Sequence, residues 1–190
     1  MNGLFKPDSE NQEVVENNPN RKLMFVCSGN TCRSPMAESI FRHIFRASGP
    51  HHMIGDPDTE AKIEVSSAGA FARGDEPYTP YAVRVIKYEY DEDISSGYSK
   101  IAIYERLIEQ DLVLCMTDDL SRYLRERFPD FSDRVFSLNE LINDLSIQNI
   151  DGEVTDPYGY EYLVYMETAK QLDTIIRALE PEILKYWGME

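Results

Sequence analysis

Short, uninterrupted apolar runs alternate with segments of helical periodicity along most of this chain, and that alternation restricts the fold more than any other feature. Leu23, Met24, Phe25 and Val26 form the first run, closed by the turn-formers Ser28, Gly29 and Asn30. This is the pattern of a strand buried on both faces, with order beginning at Lys22. From Pro35 to Arg46, Met36, Ile40, Phe41, Ile44 and Phe45 recur at helical spacing.

The same reading predicts a second strand at Ile63 and Val65, a turn at Ser66 to Gly69, and a helix over 80–90. It predicts a helix from Ile101 to Ile108 and a third buried strand from Asp111 to Met116. A helix from Leu120 to Phe128 is stopped by Pro129, and a short fourth strand starts at Val135 and Phe136. A brief helix follows over Leu138 to Leu145, then a loop over 148–159. The last helix runs from Glu161 to Trp187 and is expected to break near Pro181. Parallel neighbours need crossover helices, so the fold expected is α/β, a single domain with a four-stranded parallel sheet and helices on both faces. Ligands of such sheets sit at the carboxyl ends of the strands.

Composition narrows the function. At 190 residues, 42% of them hydrophobic, the chain can bury one core without staples. Its 34 acidic and 19 basic residues give a net charge of −15, which repels phosphate backbones and argues against nucleic acid. Nothing resembles a membrane span or signal peptide, and three cysteines, Cys27, Cys32 and Cys115, are too few and odd in number for a secreted framework. A cytoplasmic protein is expected. Residues 1–20 are polar and unpatterned and read as a flexible tail, leaving 21–190 as the domain.

The chemistry concentrates in Val26-Cys-Ser-Gly-Asn-Thr-Cys-Arg-Ser-Pro35. A thiol leaves the end of a buried strand, five residues curl round, and an arginine followed by a hydroxyl opens a helix. The amides of a first helical turn and the macrodipole favour an anion there. Gly29 permits close backbone approach, and Asn30 tolerates a left-handed conformation. Arg33 matches two phosphate oxygens. The same field stabilises a thiolate, which makes Cys27 a nucleophile. A buried cysteine in an ordinary turn is the plainer reading of Cys27 alone. It does not account for the cysteine, arginine and serine at this spacing between strand and helix.

These ten residues resemble the signature of the low-molecular-weight protein tyrosine phosphatases. The resemblance spans Lys22 to about Leu179 and includes Ser67-Ala-Gly69, Asp111-Leu-Val-Leu-Cys-Met116 and Asp156-Pro-Tyr-Gly159. It implies a flavodoxin-like phosphatase fold and hydrolysis of phosphotyrosine on a protein or peptide through a cysteinyl-phosphate. Cys27 would attack, Arg33 would clamp the phosphate, and Asp156 would be general acid and base. Ser28, Gly29, Asn30, Thr31, Cys32 and Ser34 would complete the phosphate loop, without cofactor or metal. Ser34 would donate to the Cys27 sulfur or cap the helix. In the family the second cysteine, here Cys32, can form a reversible disulfide with the nucleophile, and packing under the loop is its alternative role.

The family's histidine after the second helix is missing from Asp93-Ile-Ser-Ser-Gly-Tyr-Ser-Lys100, so the support around Asn30 and Ser67 is expected to be either partial or rebuilt by Ser95 or Ser96. Tyr158 is the expected substrate wall, while Tyr162 and Tyr165 are expected to pack the helix. Ser67 to Ala72 with Thr79 to Val83 resembles the branch containing bacterial protein arginine phosphatases, where Thr stands at the position of Ser28. Phosphoarginine is therefore the alternative substrate. An arsenate reductase lacks its further cysteines here, since only Cys115 lies downstream. A non-enzymatic phosphate-binding module is a further alternative.

Overall fold

The computed structural model describes residues 20–47 and 62–189. The expected tail lies outside them apart from Asn20, as does the stretch from His51 to Glu60. The sheet contains β1 (Asn20–Cys27), β2 (Lys62–Gly69), β3 (Leu112–Cys115) and β4 (Val135–Ser137). Their order is β2-β1-β3-β4 and every pairing is parallel. The chain leaves β1 in both directions across the sheet, which places a topological switch point at the end of β1.

The period-two pattern of the strands builds two cores. Leu23, Phe25, Cys27, Leu112 and Leu114 face α1 (Arg33–Ala47), α2 (Pro80–Tyr90), α5 (Leu138–Asp144) and α6 (Tyr162–Tyr186). Met24, Val26, Val113 and Cys115 face the other side, against α3 (Tyr104–Leu107), α4 (Asp118–Arg127) and a 3₁₀ turn over Pro129–Arg134. One-residue alternation thus commits each strand residue to one layer.

Three expectations fail. The turn expected at Ser66 to Gly69 is strand, because β2 stays paired with β1 as far as Gly69, opposite Cys27. Only Tyr104–Leu107 of the helix expected over Ile101 to Ile108 forms, because the residues before it extend the sheet. Gly69 donates to the Lys100 carbonyl, Ala102 donates to the Gly69 carbonyl, and Ile101 bridges Gly69 in parallel. At the other end α6 does not break at Pro181. Its apolar stripe continues through Ile176, Leu179, Ile183 and Leu184, all buried, so tertiary packing offsets the backbone hydrogen bond that proline cannot make. The helix expected from Leu120 starts at Asp118, where the Thr117 hydroxyl accepts the Leu120 amide at 3.3 Å.

Candidate active site

Cys27 is the last residue of β1 and Arg33 the first of α1, so the intervening residues must curl at the carboxyl edge of the sheet. Asn30 makes that curl possible, with φ of 55°. Its buried amide donates from Nδ2 to the hydroxyls of Ser34 and Ser67, each at 2.9 Å, and Oδ1 accepts the Lys100 amide at 2.7 Å. Gly69 lies beneath the curl. A Cβ there would stand 2.7 Å from the Ser28 carbonyl and 2.8 Å from the Asn30 nitrogen. Gly29 meets no such limit within the chain. Its backbone lines the open side of the loop.

The Cys27 sulfur accepts the Asn30 amide at 3.1 Å and the Ser34 hydroxyl at 3.0 Å. Two donors thus converge on one sulfur. Ser34 is already inside α1, so it is not the helix cap considered as its alternative role. Among the described residues, the amides of Gly29, Thr31, Cys32 and Arg33 find no acceptor within the chain. They are the unpaired donors of a helix start, as an oxyanion site requires.

Behind the loop, support comes from a residue that the sequence reading did not single out. The Ser67 hydroxyl donates to Glu38 Oε2 at 2.6 Å, and Glu38 Oε1 accepts Arg42 at 2.6 Å. Arg42 also reaches Glu92 at 3.0 Å. Cys27, Ser34, Asn30, Ser67 and Glu38 therefore form one connected buried chain. Ser95 and Ser96 take no part in it, being exposed on a turn where the Ser95 amide bonds Asp93. The signal for Glu38 was present in its placement one helical turn after Ser34, facing the buried side of α1.

Asp156 arrives from the loop before α6. Its Oδ2 accepts Arg33 Nη2 at 2.6 Å, and its Oδ1 accepts the Tyr158 amide at 3.2 Å. Cys27, Ser28, Gly29, Thr31, Cys32, Arg33, Asp156 and Tyr158 line one cavity of about 600 Å³. Asn30 and Ser34 lie beneath it, both fully buried. The remaining wall is Glu76, Pro77, Tyr78, Thr79 and Pro80; the sequence reading noted Thr79 and Pro80 only for their branch resemblance and did not anticipate the other three. Tyr78 packs over Gly97, where a Cβ would run into the ring, 2.6 Å from Cδ2. Burial first, then the Glu38 charge, raise the Tyr78 phenol above its ordinary pKa, so this wall stays neutral.

Tyr162 and Tyr165 pack edge-on to Tyr81, at 5.9 and 5.5 Å, as helix-packing residues should. Tyr165 also brings its hydroxyl to 3.5 Å from the Cys32 sulfur. Burial, and next that contact, push its pKa up to about 12. Thr79 reaches the same sulfur at 3.5 Å. All three cysteines are free thiols and buried.

A parallel α/β sheet whose first strand ends in a thiol, with an anion-binding loop leading directly into a helix, defines the class of cysteine-dependent phosphatases. Residues 22–186 match the family described as low molecular weight phosphotyrosine protein phosphatase, and the chain belongs to that family. It is 32% identical over 164 residues to a protein-arginine-phosphatase of Bacillus subtilis, covering 86% of this chain and 97% of that one. It is 30% identical to the low molecular weight protein-tyrosine-phosphatase PtpB of Staphylococcus haemolyticus, covering 83% and 96%. A solved low molecular weight protein tyrosine phosphatase from T. tengcongensis superposes with a TM-score of 0.71 at 37% identity, covering 85% and 99%.

Proposed function

We propose that this phosphatase hydrolyses phosphotyrosine on proteins, with Cys27 as nucleophile, Arg33 as phosphate clamp and Asp156 as general acid and then base. The observation that carries the reading is that these three residues, drawn from β1, α1 and the loop before α6, line a single cavity. The Cys27 thiolate attacks phosphorus in line while the phosphorus–oxygen bond to the leaving group breaks. Asp156 gives its proton to the departing oxygen. Asp156, now a carboxylate, takes a proton from water as that water attacks the cysteinyl-phosphate, and the sulfur–phosphorus bond breaks to release phosphate and thiolate. Ser34 donates to the returning thiolate.

Tyr78, Pro77 and Tyr158 give the cavity an aromatic and apolar wall suited to a phenyl ring. A specific observation favours phosphoarginine as the second reading. Two carboxylates, Glu76 and Asp156, line the cavity, and a guanidinium is cationic where a phenyl ring is not. An arsenate reductase relay gains no support. Cys115 faces the opposite core from Cys27, fully buried, and burial pushes its thiol pKa well above the ordinary range. A pure phosphate-binding module would have no use for a nucleophile and an acid in the same cavity. The described helices include none long and apolar enough to cross a membrane, and three unpaired thiols suit the cytoplasm.

The test is turnover of phosphotyrosine and phosphoarginine peptides side by side without added metal. Faster hydrolysis of phosphotyrosine supports the first reading, faster hydrolysis of phosphoarginine supports the second, and binding without turnover removes both.

A further inference from the structure

Of the thirteen residues lining the cavity, Arg33 is the one cation, and Glu76 and Asp156 are the two acids. Asp156 already has Arg33 as its partner at 2.6 Å. The Glu76 carboxylate makes no hydrogen bond or ion pair with any described residue.

Glu76 is exposed, yet its backbone is held from several directions. Its amide donates to the Ser99 hydroxyl at 3.1 Å and its carbonyl accepts the Ser99 amide at 2.7 Å. Asp75 donates to the Ser99 carbonyl, and Pro77 pairs with Tyr98. The turn before it uses two positive-φ residues, Gly74 at 83° and Asp75 at 59°. An unpartnered charge on a braced segment at the substrate cavity is preorganised for a ligand, because little ordering remains to be done when one binds.

We propose that Glu76 is a specificity-determining residue that pairs with a guanidinium carried by the substrate, and this rests on the phosphatase reading of the Cys27 site. The phosphate is drawn to the loop amides and Arg33, so its charge faces away from Glu76. A positive group on the same substrate then meets the carboxylate. A guanidinium fits better than an ammonium, since its planar fork matches a carboxylate and its face stacks on the rings of Tyr78 or Tyr158. Two sources supply this chemistry: the phosphorylated residue itself, if it is arginine, or an arginine beside a phosphotyrosine.

The test measures kcat/KM for wild type, Glu76→Gln and Glu76→Asp. The substrates are a phosphoarginine peptide, phosphotyrosine peptides with arginine or with neutral flanks, and 4-nitrophenyl phosphate. An exposed ion pair is worth up to about 1 kcal/mol, so Glu76→Gln should lower the ratio of guanidinium-bearing to neutral substrates by roughly two- to fivefold. The loss should lie in KM, fade with added salt, and be partly restored in Glu76→Asp. A fall confined to phosphoarginine places the guanidinium on the phosphorylated residue. A fall confined to arginine-flanked phosphotyrosine places it on the neighbour. An unchanged ratio, including an equal loss on every substrate, overturns the proposal. Wild-type protein that hydrolyses none of the substrates overturns the phosphatase reading instead, and this proposal with it.

Discussion

The guanidinium of Arg33 and the carboxylate of Asp156 meet at 2.6 Å, joining α1 to the loop before α6. Arg33 is 7% exposed and Asp156 is 53% exposed, so the acid is the mobile partner. A phosphate dianion needs the same guanidinium. On the proposed mechanism, binding would displace or share the carboxylate and turn it toward the leaving group.

Asp156→Asn should separate those two effects. Turnover of substrates with poor leaving groups should fall steeply, and turnover of activated aryl phosphates less, because the latter need little protonation. Inorganic phosphate should bind a few-fold tighter, since a half-exposed ion pair worth about 1 kcal/mol no longer competes for Arg33. Steady-state kinetics across a leaving-group series, with phosphate as inhibitor, checks both. Equal losses on all esters would make Asp156 structural.

Cys27→Ser should abolish turnover but retain phosphate binding, because the loop amides and Arg33 remain in place. Arg33→Lys should lose both, since a point-charge ammonium cannot replace a bidentate fork. Calorimetric titration with phosphate distinguishes them. Normal turnover in Cys27→Ser would remove the covalent mechanism.

Asn30 serves the loop twice, through its left-handed backbone and through its side-chain amide. Asn30→Gly keeps the first and loses the second, whereas Asn30→Ala loses both. The alanine variant should be less stable than the glycine variant by about 1 kcal/mol, the cost of a left-handed Cβ. Both should be less stable than wild type, because Lys100, Ser34 and Ser67 lose a buried partner. Urea midpoints of the three proteins decide it, and equal midpoints for the two variants would mean that the backbone carries no strain.

The loop was legible because its information is local. Cys27, Arg33 and Ser34 lie within eight residues, and the buried strand before them fixes where they emerge. The alternating runs likewise revealed four parallel strands, since short apolar runs closed by turn-formers and separated by helical segments fit strands buried on both faces. What remained hidden depends on distant pairing. Nothing near Tyr78 or Glu76 says that their segment would close over residues 27–33. Lys100 supports Asn30 through a backbone amide, which any residue type supplies. Ile101 carried a helical pattern but bridged Gly69 instead, and Pro181 carried a break signal that the packing of α6 overrode.

Acid should expose a second dependence, at the start of α5. Glu140 accepts both guanidinium nitrogens of Arg125, at 3.0 and 2.6 Å, and the Ser137 amide at 2.7 Å. Burial alone would raise its pKa, but the hydrogen bonds from Arg125 and Ser137 outweigh burial and hold it below the usual carboxylate value. A depressed folded pKa contributes stability above the unfolded value of about 4.3, and that contribution is lost as pH falls through the folded value. Glu140→Gln should therefore be less stable at neutral pH and show a shallower decline below about pH 4. Parallel urea-midpoint curves for the two proteins over pH 3 to 7 would contradict the assignment.

Ser28 and Tyr158, the two positions proposed to set substrate choice, line the same cavity. Tyr158 is 68% exposed, so its ring gains contacts only when a substrate covers it. Tyr158→Ala should weaken aryl phosphate binding by roughly 0.5 to 1.5 kcal/mol, the size of an aromatic pair contribution. A planar guanidinium also stacks on a ring, so phosphoarginine should lose a comparable amount and this variant alone does not discriminate. Ser28 follows the Cys27 thiol, and Ser28→Thr adds one methyl beside the phosphorus. That methyl narrows the space for a phenyl ring more than for the slimmer guanidinium, so the ratio of phosphoarginine to phosphotyrosine turnover should rise. Competition between the two peptides in one reaction measures that ratio directly. If Ser28→Thr leaves it unchanged, the position does not set the choice, and selectivity lies with the wall formed by Glu76, Tyr78 and Tyr158.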